Sequence, residues 1–416
     1  MKNVVLQPSF YKNFECIGGK CVNNCCRHRW KIDFTKEEFK NIKRKIHTEE
    51  FKKLYEDAFI YDKKIGKYFI KIDDDNRCKF LNENGLCGIY TEVGPENMSQ
   101  ICKIFPRRGM YYIKEYEYFL SVGCEEVVRL LIEEKDGIQL EWIERELTDA
   151  EKKGAAICSA AYVNERPMLY YYNDVKKLLF GVLQNRMYDF GERMVVLGIA
   201  LKKVDEMGKN GQIDKIPEYI ENFILEFYDE KNKEMYTNLF EKVDRSGKKR
   251  AVQVLTYFII INNKELYEKM QERINYTMTI DMRKVKKSEK GQEVEKDMKF
   301  DIEKYQKAIQ DFEQFLKGKE YWIENVMLEG FLNARIPFWI NGGIWKNYCA
   351  MAIIYSIFLF YLTCLLEKDS TKEDFMDYVS KISRWTFHNE PFMKQMEERL
   401  EQTESNTLAH MAMLVL

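Results

Sequence analysis

Eight of the eleven cysteines fall at or before position 124, and this constrains the fold more than any other feature of the 416-residue chain. They are Cys16, Cys21, Cys25, Cys26, Cys78, Cys87, Cys102 and Cys124, spaced C-x4-C-x3-CC, then C-x8-C-x14-C, then a final cysteine. Thiolates bind soft and borderline metals, and four of them suit zinc or an iron–sulfur cluster. The stretches between them carry turn signals such as Asp73-Asp74-Asp75-Asn76 and Asn84-Gly85, and a short alternating run at residues 68–72. Such a segment bends easily enough to bring thiolates to one ion, and the metal then replaces the missing apolar core. The amino terminus, MKNVVLQPSFYKNFE, has no signal-peptide pattern, so a reducing cytoplasmic setting is expected, with ligands or free thiols rather than disulfides. Cys158, Cys349 and Cys364 read as packing residues.

Eight thiols exceed one cluster's four ligands, which leaves two metal centres or several bystanders. Adjacent residues such as Cys25 and Cys26 diverge in an extended chain, so only one of them is expected at a given ion. Two patterns are narrowly missed. A cluster motif of the C-x3-C-x2-C kind, used in radical chemistry on S-adenosylmethionine, would need Cys at 28, where His28 stands. A zinc ribbon would need two C-x2-C pairs, and there are none. Spacing thus leaves zinc and iron–sulfur both open.

After Cys124 the periodicity becomes helical. Helices are expected at residues 125–134, 148–161, 168–186, 188–207, 217–229, 249–278, 302–316, 321–331, 344–367, 372–386 and 391–404, and Thr35 with Glu38 forms a capping box that opens an earlier one. The expected fold class is mainly α, a helical protein with an irregular cysteine-rich amino-terminal module (residues 1–135) containing a few short strands, and a helical domain from 136 to 416. Apolar residues make up 45% and charged ones 32%, which fits a folded chain. A net charge of −1 argues against a general nucleic-acid binder. Residues 347–366 form twenty positions without a charge, long enough to span a membrane. Polar Asn347, Tyr348, Tyr355, Ser356, Tyr361 and Thr363 within it favour a buried core helix over an anchor. The mixed-charge run at 281–299 reads as a solvated loop, with a docking patch for an acidic partner as the alternative.

The segment FECIGGKCVNNCCRHRWKIDFT (residues 14–35) resembles the opening motif of the flagellin lysine-N-methylases, a branch of the proteins with a cysteine-rich zinc- or iron-chelating domain. CKFLNENGLCGIYTEVGPENMSQICKIFPRR (78–108) and CEEVVRLL (124–131) are similar too, although Glu125 stands where the family usually has Pro. The resemblance continues through residues 178–201, FLNARIPFWI (331–340) and SRWTFHNEPF (383–392), and thins out between about 203 and 325. It implies transfer of a methyl group from S-adenosylmethionine to lysines of flagellin, with an iron–sulfur cluster, of the 4Fe-4S type, in the protein. It also favours burial of the apolar helix. A non-catalytic zinc- or iron-chelating binding or chaperone module, and an iron–sulfur redox or radical enzyme, remain as alternatives.

Methylation of lysine needs a neutral amine, in-line geometry and exclusion of water. A lysine of pKa about 10.4 must first lose a proton, helped by burial or a base. Asp33 and His388 are the candidates for proton handling, each with a structural reading beside it. No G-x-G-x-x-G loop follows a strand, so any donor site is unorthodox. Arg107 and Arg108 are candidates to hold the donor's methionyl carboxylate, and Trp30 to shape its pocket; a fold-fixing role is the alternative for all three. Arg186 and Arg193 are expected to pair with helix carboxylates rather than touch substrate. His28 is a fallback metal ligand.

Overall fold

The computed structural model describes residues 2–27, 30–73, 76–243, 264–274, 301–338, 343–388 and 390–416. His28, the charged run at 281–299 and most of the helix expected at 249–278 lie outside these. The chain divides into two compact units, Met1–Tyr170 with Asn325–Arg335, and Tyr171–Glu324 with Ile336–Leu416. Eighteen α-helices and eight mostly short strands occur among the described residues, so the protein is mainly α.

The first unit holds all eight strands. Five of them, β1 (Asn3–Pro8), β5 (Arg107–Tyr112), β6 (Glu115–Leu120), β7 (Leu140–Arg145) and β8 (Ala156–Cys158), form a mixed sheet in the order β7-β1-β6-β5-β8. β1 runs parallel to β6 and β8 parallel to β5, while the β5–β6 hairpin and the β1–β7 pair are antiparallel. The sheet therefore draws in strands beyond residue 135, and the first unit continues to Tyr170. The remaining strands, β2 (Asp33–Phe34), β3 (Phe59–Asp62) and β4 (Lys67–Ile70), form a small antiparallel sheet in the order β2-β4-β3.

Short helices fill the connections: α1 (Lys36–Lys45), α2 (Glu49–Asp57), α3 (Gly88–Val93), α4 (Gln100–Ile104) and α5 (Glu125–Glu133). The capping box expected at α1 is present, with Thr35 accepting the Glu38 N–H and Glu38 reaching back to the Thr35 N–H. The helix expected at 148–161 is instead α6 (Asp149–Gly154), strand β8 and α7 (Ala160–Asn164). A glycine at 154 weakens helix continuation, and pairing of Ala156–Cys158 with β5 gives the backbone another partner.

The second unit is helical: α8 (Tyr172–Leu183), α9 (Phe190–Lys209), α10 (Ile216–Tyr228), α11 (Lys233–Phe240), α12 (Lys264–Ile274), α13 (Ile302–Leu316), the first turn of α14 (Tyr321–Ala334), α15 (Ile344–Leu365), α16 (Lys372–Thr386), α17 (Glu390–Gln402) and α18 (Leu408–Val415). α15 is the one described helix long and apolar enough to cross a membrane, and 94% of its apolar window is buried inside the protein. Its polar groups have internal partners. Tyr348 donates to the Met194 carbonyl at 2.9 Å, Asn347 to Gly343 and Ser356 to Ile353. Gly198 of α9 admits the Tyr348 ring, since a Cβ there would collide with it. These are the marks of a core helix.

A candidate metal centre of clustered thiols

Two loops build the thiol cluster. The Gly18-Gly19 stretch lies against the Asn84-Gly85 turn so closely that a Cβ on Gly19 would strike the Asn84 carbonyl, while Gly85 takes φ +73°. Asn24 joins the loops: its Nδ2 donates to the Gly85 carbonyl and its Oδ1 accepts the Cys26 N–H, each at 2.8 Å. Cys78 N–H in turn donates to the Cys26 carbonyl at 2.8 Å. Isolated bridges pair Ile72 with Cys78 and Leu81 with Cys87. Cys87 then caps α3, and Cys102 lies in α4, whose start is tied to β2 by the Ser99 hydroxyl donating to the Asp33 carbonyl at 3.0 Å.

The outcome is one apolar core in which Cys78 is buried beside Phe34, Tyr55, Phe59 and Phe80, with Cys26, Cys87 and Cys102 packed against it. Cys25 and Cys26, expected to diverge, occupy a turn and their thiols are hydrogen-bonded to one another. That bond first, and burial second, push the Cys26 thiol far up. Burial raises Cys78 to about 11 and raises Cys87 and Cys102 as well, with Cys25 adding to all three. Cys25 thus acts on four other thiols, those of Cys26, Cys78, Cys87 and Cys102. Cys16 is exposed; Cys21 and Cys124 are half-buried.

None of the eight is in a disulfide. The sulfur of Cys78 accepts the Phe80 N–H, and that of Cys87 the N–H groups of Ile89 and Tyr90, which favours the anionic, ligating form. This donor chemistry fits a thiophilic metal, whose charge would offset the burial that now keeps the thiols protonated. The side chains are gathered without forming a ready coordination sphere: among the described residues, no three His, Cys, Asp or Glu are arranged to hold one ion.

Glu125 fixes the remaining loop. Its buried carboxylate accepts the backbone N–H of Val22 at 3.1 Å and of Asn23 at 2.6 Å. The chain around Cys21 is thereby held to the residue that follows Cys124.

A cavity of about 510 Å³ adjoins the cluster's core, lined by Trp30, Lys31, Asp62, Phe69, Ile72 and Asp73 among others. Trp30 packs edge-on against Phe105 at 4.5 Å between ring centroids and also touches the cysteine core. The other sequence candidates are dispersed. Asp33 is ion-paired with Lys67 on the small sheet. His388 lies in an exposed turn after α16, in the second unit. Arg107 lies over the rings of Phe14 (4.9 Å) and Tyr11 (5.9 Å). Arg108 is its neighbour in β5 and so points to the opposite face of the sheet. The two arginines do not converge on one group. Arg186 and Arg193, as expected, share a carboxylate, that of Glu324.

Residues 15–125 match the zinc- or iron-chelating CxxCxxCC domain, and residues 176–414 match the FliB lysine N-methylase C-terminal domain. The chain belongs to the FliB lysine N-methylase family. The lysine-N-methylase of Salmonella choleraesuis (strain SC-B67) is 30% identical over 144 residues, 34% of this chain and 35% of that protein. The lysine-N-methylase of Salmonella typhimurium (strain LT2) matches to the same extent. The flagellar biosynthetic protein FliU of Salmonella muenchen is 29% identical over 146 residues, 34% of this chain and 84% of that protein. The match spans about a third of the length of the two lysine-N-methylases. No solved structure matches.

In this member of the family, the roles of three supporting residues escaped sequence reasoning. Glu125 stands out in the sequence only as a departure from the family's usual Pro, and nothing there marks it as the tether of the Cys21 loop. Glu329 is an acid inside the apolar run of α14, where it is fully buried. Arg335 is the lone charge in FLNARIPFWI. The last two were visible as charges in apolar surroundings, a signal that marks a position without naming its partner.

Proposed function

We propose that the chain is a protein-lysine N-methyltransferase that uses S-adenosylmethionine, and that its amino-terminal unit binds metal through the clustered thiols. The observation that carries this reading is the coexistence, on one chain, of the family's C-terminal domain with five clustered thiols, Cys78 buried and the other four half-buried. The substrate we propose is flagellin, a reading supported by the flagellar name of one relative. The proposed setting is the cytoplasm, where free thiols persist.

The reaction breaks the bond between the donor's sulfonium sulfur and its methyl carbon. The lone pair of a neutral lysine Nζ forms the new bond, and the sulfur leaves with its electron pair as S-adenosylhomocysteine. The methylated nitrogen then releases a proton to water or a side chain. A bound iron–sulfur cluster, or zinc as the alternative, would cross-link the loops carrying the cysteines and so stabilise the unit.

The test is incubation of purified protein with flagellin and methyl-labelled donor, with iron, sulfide and zinc counted per chain under anaerobic conditions. Label on flagellin lysines, with a mass gain of whole methyl groups, is the expected result. Absence of transfer from metal-loaded protein would leave a binding or chaperone module. A requirement for reductant, with 5′-deoxyadenosine as product, would point to radical chemistry.

A further inference from the structure

The first unit contains a half-buried cation, Arg108, without a counter-charge among the described residues. Arg108 lies in β5 opposite Phe119 of β6, and among the described residues its guanidinium makes no hydrogen bond and no ion pair. Burial first, and the like charge of Arg335 second, lower its pKa to about 10. A desolvated charge without a counter-charge is unfavourable, and folds retain such groups chiefly where a ligand completes them.

Arg335 is held in place behind it. Its Nη2 donates to the Gly109 carbonyl at 2.8 Å, next to Arg108 in the strand. Its backbone takes φ +62°, in the left-handed region that few side chains adopt. Arg335 and Arg166 also both act on the Cys158 thiol. The buried carboxylate of Glu117 acts on the same thiol in the opposite sense, while Arg107 on the other face of the sheet is covered by Phe14 and Tyr11.

We propose that Arg108, backed by Arg335, is the socket for the α-carboxylate of the sulfonium donor's methionyl group. The inference rests on the donor reading given above. A planar guanidinium matches a carboxylate with two parallel N–H···O bonds. The carboxylate is the one anionic group of S-adenosylmethionine. Arg107 has no part in the socket.

The test compares two ligands on the full-length, metal-loaded protein by calorimetry: S-adenosylhomocysteine, which carries the carboxylate, and 5′-methylthioadenosine, which lacks the whole amino-acid end. Wild type is expected to prefer the first. Arg108→Gln is expected to weaken S-adenosylhomocysteine about ten- to hundredfold, the loss typical of a charge-assisted pair, and to leave 5′-methylthioadenosine unchanged. Arg107→Gln is expected to keep the wild-type preference. The unchanged second ligand guards against misfolding; should Arg108→Gln bind neither, Arg108→Lys is expected to restore 5′-methylthioadenosine fully and S-adenosylhomocysteine in part. Full retention of the preference in Arg108→Gln, or no recovery in Arg108→Lys, overturns the socket. Equal binding of both ligands by wild type overturns the socket and leaves the donor reading intact. Binding of neither by wild type overturns both.

Discussion

The backbone N–H of Asn23 donates to the Glu125 carboxylate at 2.6 Å, joining positions 102 residues apart. Val22 N–H occupies the other carboxylate oxygen. One side chain thus sets the distance between the Cys21–Cys25 loop and Cys124. Replacing Glu125 by Ala strands two backbone donors in a largely buried place, at about 1–3 kcal/mol. The expected result is a lower melting temperature together with fewer metal ions per chain. Glu125→Gln, which keeps an acceptor oxygen, should fall between. Full metal content in Glu125→Ala would mean that the loop needs no such tether.

The thiol cluster separates the cysteines into sets with different expected behaviour. Cys78, Cys87 and Cys102 lie within reach of Cys25, while Cys349 and Cys364 are buried in α15 of the second unit. Alanine at Cys87 or Cys102 should lower the metal count and the melting temperature. Alanine at Cys349 or Cys364 should leave the metal count at wild type and cost about 1 kcal/mol for the lost packing. Stripping the metal with a chelator should destabilise wild type more than it destabilises Cys87→Ala. Comparable metal loss in both sets would remove the cluster's claim to the metal.

In the second unit, Glu324 is fully buried and pairs with Arg193 at 2.6 Å and Arg186 at 2.8 Å. Arg193 is 4% exposed and Arg186 40%. The two pairs should therefore differ in worth. Glu324→Ala leaves the Arg193 guanidinium buried without its counter-charge, an expected loss of about 3–5 kcal/mol in urea unfolding. Arg186→Ala removes a solvent-screened arm and should cost about 1 kcal/mol or less. Equal losses would mean that burial does not govern this network.

What the sequence disclosed follows the range of the interactions. Local signals were legible: the Thr35–Glu38 capping box, and helices whose bounds fall at Ile302–Leu316 and Lys372–Thr386 as the periodicity requires. The five-stranded sheet was not. β1 pairs with β7 from Asn3–Arg145 to Pro8–Leu140, and no turn signal marks so distant a partner. The thiol-rich nature of the site was plain from spacing, yet the meeting of the Cys25 and Cys26 thiols depends on a turn that neighbouring residues impose. Arg108 was a candidate by itself. Its relation to Arg335 is invisible in one dimension, because the Gly109 carbonyl and the Arg335 guanidinium meet across 226 positions.

Glu329 supplies a pH test of the first unit. It is fully buried, one oxygen accepts the Leu120 N–H at 2.5 Å, and the other has no hydrogen-bond partner. Asn325 and Asn333, one helical turn to either side, also each hold an unpartnered polar atom. Burial raises the Glu329 carboxyl to about 8, and the Leu120 N–H offsets only part of that. In the unfolded chain the group titrates near its ordinary value of 4.5. Between these two values the folded state binds the extra proton, so stability falls as pH rises from about 4.5 to 8 and levels off above. Glu329→Gln presents a neutral group of the same shape at every pH, so it cannot titrate. Its unfolding free energy relative to wild type should therefore shift in its favour by several kcal/mol, roughly 1.4 for each pH unit crossed in that window. Urea unfolding of both proteins at pH 5.5 and 8 measures this difference, and a difference that does not change with pH would show that Glu329 is ionised in the folded protein.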